Sequence, residues 1–250
     1  MSIIEIKNLN FCYDYQKKVI SDLNASFNNG ITVLAGPNGS GKTTLLKIIS
    51  RIIESYTGII KIFGRDIREY KKREFAKIVS FVNLDISLPF NFKVIDILLM
   101  GRISYLDFFS DYSDEDYAFV LNIAKETKIE HLLNRNFFEI SSGEKELVLL
   151  TQSFVQDSPI LLMDEPFIHL DLKHKLNLLD IFKNYIQKKN GCGIIVIHDL
   201  KIAQKISDNM AFIKDGKIVK NIKSSYIKEN IGLIADIYEV KKEDVENFLF

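Results

Sequence analysis

Eight consecutive residues, Gly36-Pro37-Asn38-Gly39-Ser40-Gly41-Lys42-Thr43, carry the pattern G-x-x-x-x-G-K-[ST] in full. Glycines let such a stretch curl tightly enough for several backbone N–H groups to face phosphate oxygens. Lys42 is placed to reach the β- and γ-phosphates of a nucleotide, and Thr43, followed by Thr44, to offer a hydroxyl to Mg²⁺. Further along, Ile160-Leu161-Leu162-Met163-Asp164-Glu165 is an apolar run that ends in two adjacent carboxylates, a Walker B-like arrangement. At such a strand end Asp164 can help hold Mg²⁺ through water, while Glu165 can polarise an attacking water as general base. A third apolar run, Ile194-Ile195-Val196-Ile197, closes on His198, which can contact a γ-phosphate and orient the water or Glu165. The chemistry these groups share is hydrolysis of a nucleoside triphosphate. The guanine-reading motif Asn-Lys-x-Asp of GTPases does not occur. His131, His169 and His174 have no comparable setting and read as surface or packing residues.

Those groups need a scaffold that brings strand ends together. Residues 3–7 and 23–27 show strand-like alternation, 28–30 reads as a turn, and 31–35 is a short apolar run suited to a buried central strand. The glycine-rich loop follows directly. The spacing then predicts a helix over 43–53, whose N-terminal dipole end faces the same anion. Further strands are expected at 59–63, 78–82, 160–163, 194–197 and 210–213, with Asp215-Gly216 as a hairpin turn into 217–220. Between 84 and 155 the pattern turns helical, with helices expected at 94–100, 115–128 and 144–154, and 105–117 as a surface connection. Two strand-rich blocks therefore flank a helical insertion, and the core is expected to be mainly parallel α/β. No internal repeat, low-complexity tract or flexible linker is visible.

Composition narrows the class. Of 250 residues 47% are hydrophobic, enough for a substantial core, and 33 basic residues balance 33 acidic ones. A net charge of zero lacks the electrostatic footprint of a general nucleic-acid binder, so no nucleic-acid partner is expected. Cys12 and Cys192 are the only cysteines, which argues against a disulfide framework or a zinc site. The N-terminus does not read as a signal peptide, and no run approaches the ~20 apolar residues of a membrane span. A cytoplasmic, soluble chain is expected, and any membrane role requires a partner.

Ile140-Ser141-Ser142-Gly143-Glu144 lies shortly before the Walker B-like strand and opens a predicted helix. It resembles the signature of the ATP-binding-cassette (ABC) family, usually Leu-Ser-Gly-Gly-Gln or -Glu. A serine hydroxyl, glycine amides and a helix N-terminus together form a second anion site. The resemblance covers essentially the whole chain. It implies one ABC ATPase domain with a P-loop NTPase (RecA-like) core, an N-terminal antiparallel β subdomain and an inserted α-helical signature subdomain. The implied boundaries are 1–84 and 158–250 for the core, and about 85–157 for the helical part. It further implies a homodimer that sandwiches two ATP molecules with Mg²⁺. Ser141, Ser142, Gly143 and Glu144 then meet the γ-phosphate of ATP held by the opposite subunit, Asp171 matches the loop that crosses the interface, and Tyr13 matches an aromatic that stacks on adenine. The spans 88–102 and 230–240 resemble subunits of iron-chelate, haem or cobalamin importers. The implied partners are two transmembrane permease subunits and, indirectly, a substrate-binding protein. The implied location is peripheral, on the cytoplasmic face of the membrane.

Two positions depart from the family pattern. Leu84 stands where most members carry a glutamine, and leucine has no oxygen to offer Mg²⁺ or water. Asn83 or Asp85 can substitute if the loop shifts by one residue. Ser142 replaces a glycine, which matters where the backbone needs a positive φ. Two other readings stand beside the transporter ATPase. A soluble ABC ATPase acting on nucleic acid or ribosomes is disfavoured by the lack of paired cassettes or long coiled-coil insertions. A low-turnover regulatory nucleotide-binding module is kept open by Leu84.

Overall fold

The structure is a computed structural model that describes residues 2–13, 18–82, 84, 89–107, 110–167 and 170–249, with the backbone alone at 172 and 248. Asn83, Asp85, Leu88 and His169 lie outside the described residues. The chain divides into two compact units, one of residues 1–70, 162–165 and 190–250, the other of 71–161 and 166–189.

The first unit opens with β1 (Ile4–Cys12) and β2 (Lys18–Phe27), paired antiparallel with Ile4 opposite Phe27 and Phe11 opposite Ile20. On its other edge β1 pairs antiparallel with β4 (Thr57–Ile62), and β5 (Arg65–Asp66) completes the order β2-β1-β4-β5. Strand β1 runs past the expected residues 3–7 for a specific reason. Asn8 sits at φ 50 where the register shifts between Ile6 and Leu9. That irregularity changes which parity faces inward, so Ile4 and Ile6 are buried before it and Leu9 and Phe11 after it.

A second sheet of this unit has the strand order β10-β9-β3-β8-β7. Its centre is β3 (Gly30–Ala35), parallel to β8 (Cys192–Val196), with Val33 opposite Ile195, and parallel to β9 (Asn209–Lys214), with Val33 opposite Met210. Residues Ile31, Val33, Leu34, Ile194, Ile195 and Val196 are all buried, which is why these strands read as unbroken apolar runs. Strand β9 turns through Asp215 and Gly216, both at positive φ, into antiparallel β10 (Lys217–Lys223), the geometry of a type I′ hairpin turn. Strand β7 (Ile160–Asp164) is buried until its last residue, and β6 (Val79–Val82) belongs to the second unit.

Helix α1 (Lys42–Ile49) is shorter than the expected 43–53. Arg51 adopts φ 61, and the amides of Ile52 and Ile53 both return to the Lys47 carbonyl, which closes the helix end before the apolar pattern runs out. The same unit finishes with α7 (Leu200–Ile206), α8 (Ile231–Tyr238) and α9 (Lys242–Leu249).

The second unit is mostly helical: α2 (Lys72–Ala76), α3 (Val94–Met100), α4 (Asp114–Glu126), α5 (Ser142–Val155) and α6 (Leu172–Lys189). Helix α5 packs on α3 and α4 around Leu98, Val120, Val148 and Phe154, all fully buried or nearly so. Helix α4 starts at a capping box between Ser113 and Asp116. Asp116 also holds Arg102 at 2.9 Å, and that guanidinium lies 3.8 Å over the Tyr105 ring, so the acidic and aromatic connection is tied at both ends. Among the described residues no helix is long and apolar enough to cross a membrane.

Candidate nucleotide site

The loop after β3 is shaped by two constraints. Gly36 adopts φ 148, and a Cβ there would lie 2.0 Å from the Ile213 carbonyl oxygen of β9. Gly41, at φ 102, caps α1 in the left-handed region, and a Cβ there would meet the Val19 carbonyl at 2.9 Å. Ser40 is buried, and its carbonyl accepts the Gly216 amide at 3.1 Å. Lys42 is 7% exposed, and its Nζ donates to the carbonyls of Gly36 (2.9 Å) and Pro37 (2.8 Å). An ammonium has three donors, so two hold the loop and one remains for an anion. Burial lowers the Lys42 pKa, with Glu165 and then Asp164 opposing that shift.

The carboxylates and the histidine arrive from the sheet. Asp164 ends β7 with the Thr43 hydroxyl beside its carboxylate. Its pKa is raised chiefly by burial; the Thr43 hydroxyl opposes this and Glu165 adds to it. Its Oδ1 atom is buried with no hydrogen-bond partner among the described residues. Glu165 follows at φ 48, a left-handed conformation that costs a non-glycine residue about 1 kcal/mol or more. The Glu165 amide donates to Val196 O (3.2 Å), and its Oε1 lies 2.7 Å from His198 Nε2. The turn that strains Glu165 thus aims its carboxylate at the end of β8.

Tyr13, Lys18, Asn38, Gly39, Gly41, Lys42, Thr43, Thr44, Glu165 and His198 share one cleft of about 670 Å³, with Val19 at its wall. That volume is within the range of small-molecule sites. Tyr13 is 57% exposed, stands edge-on to Phe11 with ring centroids 4.8 Å apart, and its hydroxyl lies 3.3 Å from Thr44 Oγ1. Its ring is therefore largely exposed at the mouth. Of the loop residues singled out in the sequence, Gly36, Pro37 and Ser40 support the cleft from behind rather than line it. Lys18 and Val19 line the cleft without a sequence signal, because they open β2 five residues before its alternation becomes legible.

The residues present fit a divalent cation. An orphaned buried carboxylate oxygen beside a hydroxyl is a hard-oxygen donor set. Among the described residues no cluster of three or more His, Cys, Asp or Glu could hold a metal alone, so a Mg²⁺ ion at Thr43 and Asp164 would complete its shell from phosphate and water. One consequence is a trade-off. Asp164→Asn removes a half-buried charge whose desolvation outweighs the help of Thr43, Lys47 and Lys42, and is expected to stabilise the nucleotide-free chain by about 1 kcal/mol, roughly 2–4 °C in thermal midpoint. The same change is expected to cut Mg²⁺-dependent turnover at least tenfold; thermal melting and phosphate release measured side by side check both halves.

The remaining site residues belong to the second unit. Ser141 caps α5: its hydroxyl accepts the Glu144 amide (3.3 Å) and donates to Glu144 Oε2 (2.8 Å). Ser142 is the first residue of that helix and has no positive φ, so its Cβ carries none of the backbone cost that glycine would relieve. Gly143 follows in the same first turn. Asp171 caps α6, accepting the His174 amide at 2.9 Å, and its other oxygen lies 2.9 Å from His174 Nδ1. That histidine contact lowers the Asp171 pKa, and no sequence signal marked His174 for it. Leu84 is partly exposed in a bend.

A family model described as ABC transporter matches residues 20–168, more than half of the chain. The chain is 31% identical over 203 residues to the iron(3+)-hydroxamate import ATP-binding protein of Bacillus subtilis, covering 81% of this chain and 76% of that protein. It is 28% identical over 239 residues to the petrobactin import ATP-binding protein of the same organism, covering 95% and 93%. Among solved structures, a nucleotide-free ATP-binding cassette from an ABC transporter superposes with a TM-score of 0.82 at 20% identity, over 95% of this chain and 97% of that one. A dimeric cassette bound to ADP and phosphate in a post-hydrolysis state superposes with a TM-score of 0.76 at 20% identity, over 88% and 98%. At these identities the structural likeness is one of fold.

Proposed function

The chain belongs to the ABC transporter family, and on that premise we propose that it is the ATP-hydrolysing subunit of a membrane importer for an iron-chelate, haem or cobalamin-like cargo. The observation that carries the catalytic part is the cleft in which Lys42, Thr43, Glu165 and His198 meet behind an exposed tyrosine. Adenine stacks on Tyr13, and the amides of Asn38, Gly39 and Gly41 cradle the phosphates in front of the α1 N-terminus. Lys42 neutralises the β- and γ-phosphates. Thr43 and Asp164 would hold Mg²⁺, which would supply charge neutralisation. Glu165 takes a proton from water as the water's oxygen bonds to the γ-phosphorus and the bond to ADP breaks. His198, 2.7 Å from the Glu165 carboxylate, keeps that base aimed.

Ser141, Ser142, Gly143 and Glu144 form the second anion site, which closes on the nucleotide of a partner copy, with Asp171 at the interface. The helical signature segment, about 85–157, carries that site and the surface that meets the permease. Two copies beneath two permease subunits, on the cytoplasmic membrane face and served by a substrate-binding protein, convert ATP-driven closure into alternating access. Names of relatives support the cargo class: iron(3+)-hydroxamate and petrobactin import. The test of the paired site is the dependence of turnover on chain concentration. A rate that rises faster than linearly is expected; strict proportionality from nanomolar concentrations upward, with a monomer in sedimentation, contradicts it.

The low-turnover alternative turns on Leu84. A glutamine there would add an amide able to bond water or metal-bound oxygen. Leu84→Gln is therefore expected to raise turnover severalfold in a steady-state phosphate-release assay, and an unchanged or lower rate counts against that role.

A further inference from the structure

The C-terminal segment reaches back to the phosphate-binding loop. Tyr238, the last residue of α8, places its hydroxyl 2.9 Å from the Gly36 amide and accepts its hydrogen bond across 202 positions of sequence. Gly36 has no freedom to find another partner. Its φ of 148 is required because the Ile213 carbonyl occupies the place of a side chain. The Gly36 carbonyl in turn accepts from Lys42 Nζ. A single residue thus links the Tyr238 hydroxyl to the ammonium that faces the cleft.

Tyr238 is itself held. The next residue, Glu239, adopts φ 59 and ends the helix, and its carboxylate lies 2.8 Å from Lys214 Nζ. That lysine also donates to the Asp236 carbonyl at 3.1 Å. Lys214 ends β9, one residue before the Asp215–Gly216 turn, and the Gly216 amide donates to the Ser40 carbonyl. The hairpin and α8 are therefore clipped together and grip the loop at two points, Ser40 and Gly36. Both grips use backbone groups that face away from the cleft.

We infer that Tyr238 is a positioning residue for nucleotide binding: its hydroxyl fixes the Ala35–Gly36 peptide, and through the constrained Gly36 the carbonyl that holds the Lys42 ammonium, in the geometry that receives phosphate. The inference rests on the nucleotide site proposed above. Removing the hydroxyl leaves a buried amide without its acceptor, and the loop relaxes to satisfy it. Preorganisation is lost before nucleotide arrives, and the cost falls on binding more than on the chemical step, because Glu165 and His198 follow the ends of other strands.

The experiment compares wild type with Tyr238→Phe, a change of one oxygen atom, in MgATP hydrolysis, with the thermal midpoint of the nucleotide-free chain recorded alongside. KM for ATP is expected to rise roughly tenfold while kcat stays within about twofold. An unchanged KM overturns the inference, whether or not the midpoint falls, since a merely structural tyrosine moves stability alone. Should Tyr238→Phe fail to fold, Lys214→Met cuts the clip at the surface and leaves the hydroxyl in place; a rise in KM of about twofold is expected, and none overturns the inference. Failure of wild type to bind ATP sinks the nucleotide site itself, and is thereby distinct from a wild type that binds and a Tyr238→Phe chain that matches it.

Discussion

Glu165→Gln is expected to lower ATP turnover by about 10²–10⁴-fold while leaving ATP affinity within a few-fold of wild type. The substitution keeps the shape of the side chain and a carbonyl oxygen for His198, 2.7 Å away, but removes the basic oxygen that accepts a proton from water. It leaves Lys42 and the glycine loop untouched, and those carry the ground-state contacts to phosphate. The side chain is more than a third exposed, so stability is expected to change little. A phosphate-release assay beside equilibrium ATP binding separates the two effects. A fall in turnover of less than tenfold would show that another group takes the proton; a matching loss of affinity would show that Glu165 serves binding rather than chemistry.

Gly36→Ala carries the largest expected effect on the folded state. The new methyl would sit 2.0 Å from the Ile213 carbonyl oxygen, a backbone atom in the sheet that cannot swing aside, and φ 148 is itself closed to alanine. Relief requires the loop to lift from β9, which also breaks the Tyr238 hydrogen bond and withdraws a carbonyl from Lys42. A loss of about 3 kcal/mol or more is expected, on the order of 10 °C in thermal midpoint, together with loss of detectable ATP binding. Gly39→Ala is the matched control. Gly39 also has positive φ, 74, but among the described residues no atom lies within 4 Å of the added methyl. It should lose only about 1 kcal/mol from backbone strain. Melting curves of the two variants check the contrast, and equal losses would contradict the steric account.

What the sequence makes legible follows from how local each feature is. The phosphate loop is contiguous because consecutive amides must converge on one anion, so its eight residues read directly. The parallel strands β3, β7 and β8 read as apolar runs because they are buried on both faces. The second half of β1 does not read, because the irregularity at Asn8 reverses the alternation that marks a strand. The end of α1 does not read either, because Arg51 turns the chain while the apolar pattern continues into Ile52 and Ile53. At the candidate site, residue types were visible and conformations were not. Nothing in Asp164-Glu165 announces that Glu165 takes φ 48, yet that angle is what points its carboxylate at His198. Ser142 invited concern about a positive φ that the helix start never demands. Tyr238 is the extreme case: its partner is 202 residues away, and a tyrosine at a helix end carries no local mark of such a contact.

The most direct test of the central claim is phosphate release from ATP by the purified wild-type chain, with and without Mg²⁺. Release that requires Mg²⁺, exceeds background and stops when Glu165 is replaced by glutamine is the predicted result. Tight ATP binding with no release above that of the Glu165→Gln chain, in the presence of Mg²⁺ and at concentrations that permit pairing, would contradict it.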